Sequence, residues 1–169
     1  WEYQPLGPFQ AKAFATSISP WIVTQTALEP FRSEGAERVN PLLPYLQESR
    51  PGFYDLHLAW SLNGHTLGQT NYNVMYYSSA QQLAHHSSSG CPMRVGDLLG
   101  SGTISGPTPD STGALLEMTQ GGKVPVTVGS EARTFIEDGD TITLTGYAQG
   151  DGYRVGFGDC TGTILPAKE

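Results

Sequence analysis

The sequence has 169 residues, enough for one domain, and 38% of them are hydrophobic, which excludes a chain that is disordered throughout. Nine Lys and Arg against 16 Asp and Glu give a net charge of −7, which argues against a nucleic acid or an anionic membrane as partner. With 21 glycines, 12 prolines and 15% charged residues, the composition predicts many turns and short strands rather than long helices.

The first segment has neither an initiator Met nor a leader, and we expect the sequence to be part of a longer protein. Two prolines predict an extended or turning chain over residues 1–9. Residues 11–23 are mostly small, β-branched and aromatic, which predicts a strand broken at Pro20. Lys12 is the only basic residue before Arg32; such a lone lysine is commonly a surface side chain, and otherwise a paired functional cation.

The strongest strand signal lies between residues 53 and 72. Residues 25–31 favour one or two helical turns, and the charged, proline-containing residues 32–52 favour a long loop. Residues 53–62 then alternate between apolar and polar side chains, which is typical of a strand. Asn63-Gly64 is a strong hairpin signal, so residues 65–72 are predicted as the returning strand.

Residues 78–88 are the best helix candidate, with a serine at the N-cap and Gly90 just beyond the end. The adjacent pair His85-His86 raises the question of a metal. Neighbouring helical side chains point about 100° apart, so a favourable interaction with the helix dipole is the simpler interpretation. His57 and His65 are likewise expected to face solvent rather than bind a metal.

The stretch Gly96–Glu117, GDLLGSGTISGPTPDSTGALLE, combines glycines and small residues that let a ligand approach the backbone closely. If the apolar pair Leu115-Leu116 is buried, the carboxylate of Glu117 is poorly solvated and either pairs with a cation or has a raised pKa. The alternative is a strand, a surface loop and a solvated glutamate, and this stretch alone does not decide between them.

Beyond residue 120 the sequence predicts short strands at residues 123–128, 133–136 and 141–145. Asp138-Gly139 and Asp151-Gly152 are turn signals. The glycines near the end are not followed by a helix, which argues against a dinucleotide site. No apolar run approaches the roughly 18 residues needed to span a bilayer. Cys91 and Cys160 could pair, but two distant cysteines are more often free thiols in a reducing compartment.

Three motifs carry a resemblance to a known family: LGPFQAKAFATSISPWIV, GDLLGSGTISGP and GDGYRVGFGDCTGTILPA. With them the sequence resembles the C-terminal part of the catalytic domain of the fumarylacetoacetase (fumarylacetoacetate hydrolase) family, essentially from end to end. The resemblance implies a mainly β fold, a mixed β-sandwich roll with one or two short helices. It also implies that residues 1–169 form a single, partial catalytic domain, without its upstream part and without the N-terminal barrel-like domain.

The family resemblance further implies hydrolysis of a carbon–carbon bond in a β-diketone, 4-fumarylacetoacetate, to fumarate and acetoacetate. This is the last step of tyrosine and phenylalanine catabolism, carried out by a cytoplasmic homodimer. In that family a Ca²⁺ ion chelates the substrate oxygens and a His–Glu pair activates water. A lysine, with an arginine and a glutamine, stabilises the carbanion-like leaving group.

The same resemblance assigns roles to five residues. Glu117 matches the glutamate of the water-activating pair, and Lys12 matches the active-site lysine. Tyr3 and Thr103 match positions that contact the substrate. Lys12 and Thr16 match positions around a second, Mg²⁺ site, where an oxygen rather than the ammonium group would bind the ion.

The family's catalytic histidine and calcium carboxylates match nothing in this sequence and would lie upstream, so we expect half of a site that is inactive alone. We also expect Lys12 and Glu117 to lie within a side-chain length of each other. Two alternatives stay open: a related acylpyruvate hydrolase or hydratase/decarboxylase, and a non-catalytic ligand-binding β-module.

Overall fold

The computed structural model describes residues 15–167. Within them the chain is mainly β, with antiparallel sheets and a few short helices, which confirms the predicted fold class. The α-helices are α1 Gln25–Leu28, α2 Ser79–Ser88 and α3 Leu115–Met118, and the 3-10 turns are Glu29–Phe31, Pro44–Leu46, Tyr72–Val74 and Pro109–Ser111. The strands are β1 Arg32–Ser33, β2 Phe53–Tyr54, β3 His57–Leu62, β4 His65–Asn71, β5 Val126–Val128, β6 Glu131–Arg133, β7 Thr141–Gln149, β8 Arg154–Gly156 and β9 Cys160–Thr163.

Among the described residues, the main sheet has five strands built around the β3–β4 hairpin. Its turn is the predicted Asn63-Gly64 pair, and both residues have positive φ, 51° and 80°, as a tight hairpin turn requires. β3 pairs on its other side with β7, and both β8 and β9 pair with β7. Asp151-Gly152 lies between β7 and β8, so this second predicted turn is also confirmed.

Two apolar clusters form the core of the part that the structure describes. The first contains the buried residues Phe31, Tyr54, Leu56 and Ala148. The second, called here the lower cluster, contains Trp60, Leu62 and Val128, with partly buried neighbours that include Leu115 and Met118 of α3. The lower cluster therefore fixes α3 against the main sheet.

Helix α2 begins and ends where the sequence predicts. The Ser78 hydroxyl accepts a hydrogen bond from the Gln81 amide, and the Gln81 side chain accepts one from the Ser78 amide, which completes a capping box. Gln81 also donates to the Leu46 carbonyl, so the helix start is tied to the preceding loop. Gly90 has a φ of 84°, a left-handed conformation suited to a helix end.

Some predicted strands are absent from the described part. Residues 15–23 form no strand, and Trp21 and Ile22 are exposed rather than packed on a sheet. Strand β6 ends at Arg133, whereas the sequence favoured residues 133–136. Arg133 pairs there with the carboxylates of Glu131 and Asp140, and residues 134 and 135 bend the chain. None of the helices within residues 15–167 is long and apolar enough to cross a membrane.

Candidate functional site

Residues 102–113, called here the site loop, lie over one face of the main sheet. The indole nitrogen of Trp60 on β3 donates a hydrogen bond to the Thr112 carbonyl over 2.8 Å. Gly68 on β4 lies opposite Trp60, and a Cβ there would stand only 2.2 Å from the same carbonyl. The absence of a side chain at Gly68 thus lets the loop approach the sheet closely.

A cavity of about 270 Å³ lies between the site loop and the sheet. The loop contributes Thr103, Ile104 and Gly113, and the sheet contributes apolar side chains such as Leu58 and Leu144. Thr103, predicted to contact substrate, is exposed at this cavity. A Cβ at Gly113 would stand 2.4 Å from the Ile104 carbonyl oxygen and 2.7 Å from Cγ2 of Thr103, so only glycine fits here without a shift.

Glu117 lies on helix α3, not on a strand, and its side chain is exposed. Of the two alternatives that the sequence left open, the structure has the solvated glutamate and not the poorly solvated carboxylate. Each helical residue turns by about 100°, so Glu117 points roughly 200° away from Leu115, which packs on the lower cluster. Because Leu115 packs on the lower cluster, Glu117 points toward solvent.

The carboxylate of Glu117 contacts the site loop through Ser105. The Ser105 hydroxyl donates a hydrogen bond to Oε2 of Glu117 and accepts one from the Gly113 amide over 3.0 Å. Ser105 lies inside the TISGP motif, but its side chain was not predicted as a site residue. The contact depends on how residues 105 and 117 approach in space, and no spacing in the sequence signals it.

The remaining predicted site residues are only partly placed. Thr16 is described and exposed. Tyr3 and Lys12 lie outside the described residues, so their roles and the closeness of Lys12 to Glu117 stay predictions.

The four histidines are all exposed, as expected for His57 and His65. His57 stacks on Tyr147, with ring centroids 4.9 Å apart. His85 shares a hydrogen bond with the Tyr45 hydroxyl, and the ring nitrogen of His86 lies 3.2 Å from Sγ of Cys91. Both cysteines are free. Within residues 15–167 no three His, Cys, Asp or Glu side chains are grouped so that they could hold a metal ion.

The comparison that decides the family covers almost the whole chain. The family model described as "Fumarylacetoacetate (FAA) hydrolase C-terminal" matches residues 1–165. The chain belongs to this family. The predicted resemblance is confirmed, and it extends over both the site loop and α3.

Individual members of the fumarylacetoacetate hydrolase family are similar over the same extent. The chain is 50% identical over 173 residues to the fumarylacetoacetase of Arabidopsis thaliana, a match that covers 99% of this chain and 41% of that protein. It is 47% identical over 174 residues to the fumarylacetoacetase of Homo sapiens, covering 99% of this chain and 42% of the relative. The chain thus spans about two fifths of the length of these curated relatives.

Proposed function

We propose that the longer protein that carries this chain is a fumarylacetoacetase. It would hydrolyse 4-fumarylacetoacetate to fumarate and acetoacetate, the last step of tyrosine and phenylalanine catabolism. The observation that carries the proposal is the 50% identity over 99% of the chain to a relative of that name. Because the chain spans only 41% of that relative, the activity belongs to the longer protein, and the 169 residues alone are expected to be inactive.

Glu117 is the member of the proposed site that the described geometry supports best. In the proposal its carboxylate accepts a hydrogen bond from a histidine supplied by the upstream part of the longer protein. That histidine takes a proton from the water that attacks the ketone carbon. The exposure of Glu117 supports this role, because the carboxylate is accessible to a residue from another segment.

The leaving group departs with the electron pair of the broken carbon–carbon bond, as an acetoacetate enolate. We assign Lys12 to this step because a fixed ammonium group stabilises charge where it develops. Tyr3 and Thr103 are proposed to contact the substrate. The position of Thr103 at the cavity under the site loop supports its part of this assignment.

Ca²⁺ and Mg²⁺ are the proposed cofactors, because hard oxygen donors bind both ions. When bound, such an ion would hold and polarise the substrate oxygens. The described residues do not group three metal-binding side chains, and the calcium carboxylates are assigned to the upstream part of the longer protein. Thr16, an exposed residue, would supply an oxygen near the magnesium ion. The longer protein is proposed to be a cytoplasmic homodimer, a location that fits two free thiols.

The test uses the full-length protein, with fumarate and acetoacetate measured as products of fumarylacetoacetate. Glu117→Gln is expected to lower kcat by at least about a hundredfold, the usual contribution of general acid–base catalysis. Glu37→Gln, at an exposed glutamate far from the site loop in sequence, is the matched control and should leave kcat unchanged. Full activity of Glu117→Gln would refute the role of Glu117. Cleavage of acylpyruvates without cleavage of fumarylacetoacetate would refute the proposed substrate.

A further inference from the structure

We propose that Ser105 is a positioning residue that holds the carboxylate of Glu117 in its productive orientation. This inference rests on the proposed function and adds a residue to the same site. It is carried by one juxtaposition: the Ser105 hydroxyl lies between the Gly113 amide and the Glu117 carboxylate and is hydrogen-bonded to both.

The hydrogen-bond directions follow from the groups involved. A serine hydroxyl has one proton to donate and two lone pairs to accept. The Gly113 amide can only donate, so it occupies a lone pair of the Ser105 oxygen. The hydroxyl proton of Ser105 is thus free to point at Oε2 of Glu117, which as a carboxylate can only accept. Hydrogen bonds to an ionised acceptor are among the stronger ones in proteins.

The serine itself is followed by a hydrogen-bonded turn of the site loop. The Gly106 amide donates to the Ser111 carbonyl over 2.8 Å, and the Ser111 hydroxyl accepts from the Thr108 amide over 2.9 Å. A Cβ at Gly106 would lie 2.6 Å from Oγ of Ser111, so glycine allows this close turn. The position of Ser105 is therefore fixed by the turn that follows it and by the Gly113 amide, which lies on the other side of that turn.

The backbone of Glu117 is fixed separately, from the other side. Leu115 and Met118 pack on the lower cluster, and the buried Thr119 hydroxyl donates to the Leu115 carbonyl over 2.9 Å. The side chain of Glu117 still has three rotatable bonds and is exposed. Within the described residues the Ser105 hydroxyl is the one group that hydrogen-bonds it. Ser105 thus removes the freedom that helix packing leaves.

The second carboxylate oxygen, Oε1, remains for the proposed histidine. A carboxylate whose other oxygen is held presents Oε1 in a narrow range of directions, and proximity effects in catalysis depend on such orientation. Without the serine, Glu117 would sample rotamers in which it does not meet the histidine. Ser105 then affects the chemical step through Glu117, without touching substrate.

The experiment is a double-mutant cycle in the full-length protein, with kcat and KM measured for fumarylacetoacetate. Ser105→Ala is expected to lower kcat about tenfold or more, the effect of losing a hydrogen bond to a charged group, with KM nearly unchanged. Ser101→Ala is the matched control, since within residues 15–167 the Ser101 hydroxyl hydrogen-bonds only the neighbouring Gly102 carbonyl, and the kcat of this variant should equal that of the wild type. The double variant Ser105→Ala/Glu117→Gln should be no slower than Glu117→Gln alone, because the serine acts through the glutamate.

If Ser105 is merely structural, Ser105→Ala lowers the melting temperature. In the double variant the loss of kcat caused by Ser105→Ala then adds in full to the loss caused by Glu117→Gln. That result, or wild-type kcat in Ser105→Ala, overturns the proposal while leaving the role of Glu117 intact. Full activity of Glu117→Gln refutes the role of Glu117 instead, and cleavage of acylpyruvates without cleavage of fumarylacetoacetate refutes the proposed substrate. If Ser105→Ala does not fold, Ser105→Thr and Ser105→Val decide, because they have nearly the same size and only threonine keeps the hydroxyl. Rescue by threonine and not by valine is the expected result, and equal kcat for both contradicts the proposal.

Discussion

Asn63 and Asp140 tie the hairpin turn of the main sheet to the start of β7. The Asn63 amide donates to Oδ1 of Asp140 over 2.8 Å, and the Asn63 oxygen accepts from the Thr141 amide over 2.8 Å. The pKa of Asp140 is lowered, first by this bond from Asn63 and then by the Glu137 amide, with the positive charge of Arg133 adding to it. A buried carboxylate is thus held ionised at the end of two strands.

Asp140→Asn is expected to lower the free energy of unfolding by about 1–3 kcal/mol at pH 7, because the Arg133 and Glu137 partners lose a charged acceptor. The folded-state pKa of Asp140 lies below its unfolded value of about 3.9, so its stabilisation is present above that value. It is lost as the pH falls through the folded-state pKa. Denaturant unfolding of the full-length protein should therefore show a wild-type–variant difference that shrinks below about pH 4. The exposed Asp159→Asn is the control, and a difference independent of pH would contradict the assignment.

Trp60→Phe tests the anchor of the site loop. Phenylalanine keeps most of the apolar packing in the lower cluster but cannot donate to the Thr112 carbonyl. We expect a loss of about 1 kcal/mol in stability from the missing bond and the unsatisfied carbonyl. Hydrogen exchange of the site-loop amides should rise more than that of α2, measured by mass spectrometry. Equal hydrogen-exchange protection of the site loop in the wild type and in Trp60→Phe would show that other contacts hold the loop.

Gly113→Ala tests the close approach inside the site loop. The new Cβ would meet the Ile104 carbonyl oxygen at 2.4 Å, so the loop must shift, at a cost of about 1–3 kcal/mol. Because the Gly113 amide also holds Ser105, activity of the full-length protein should fall more than stability alone explains. Gly100→Ala is the matched control, since a Cβ there meets nothing within 4 Å among the residues that the structure describes. Its melting temperature and kcat should stay at wild-type values, and similar behaviour of both variants would contradict the steric account.

Ser78→Ala removes the N-cap of α2. The variant loses the hydrogen bond from the Gln81 amide and the bond that the Ser78 hydroxyl donates to Glu48 over 2.9 Å. The expected cost is about 1–2 kcal/mol, because the cap is buried and replacement leaves donors unsatisfied. Ser88→Ala, at the exposed end of the same helix, should cost less than about 0.5 kcal/mol in the same denaturation experiment.

The elements with strong local chemistry could be predicted from the sequence. Asn63-Gly64 forms its turn because both residues tolerate positive φ, and Ser78 starts α2 because its hydroxyl caps the first turn. The segments that were wrongly predicted as strands lack such local signals. Residues 15–23 have strand-like composition but meet no partner strand in the described part, and pairing is a tertiary property.

For the candidate site, the sequence predicts which residues take part but not how exposed they are or what they contact. The resemblance singled out Glu117 and Thr103, and the structure brings both to the same loop region. It did not reveal that Glu117 is exposed, because the outward direction depends on which side of a short helix Leu115 buries. It did not reveal Ser105 either, because that contact joins two segments through space.

The packing of α3 has a consequence for how the effects of substitutions in the core would be interpreted. Leu115 and Met118 pack on the lower cluster, which contains Trp60 and Val128, so helix α3 and with it Glu117 are supported by residues of the core. A shortened side chain such as Val128→Ala would let α3 settle and carry the carboxylate with it. If Glu117 has its proposed role, a kinetic assay would record such a change as an active-site defect, although the altered atom lies in the protein interior.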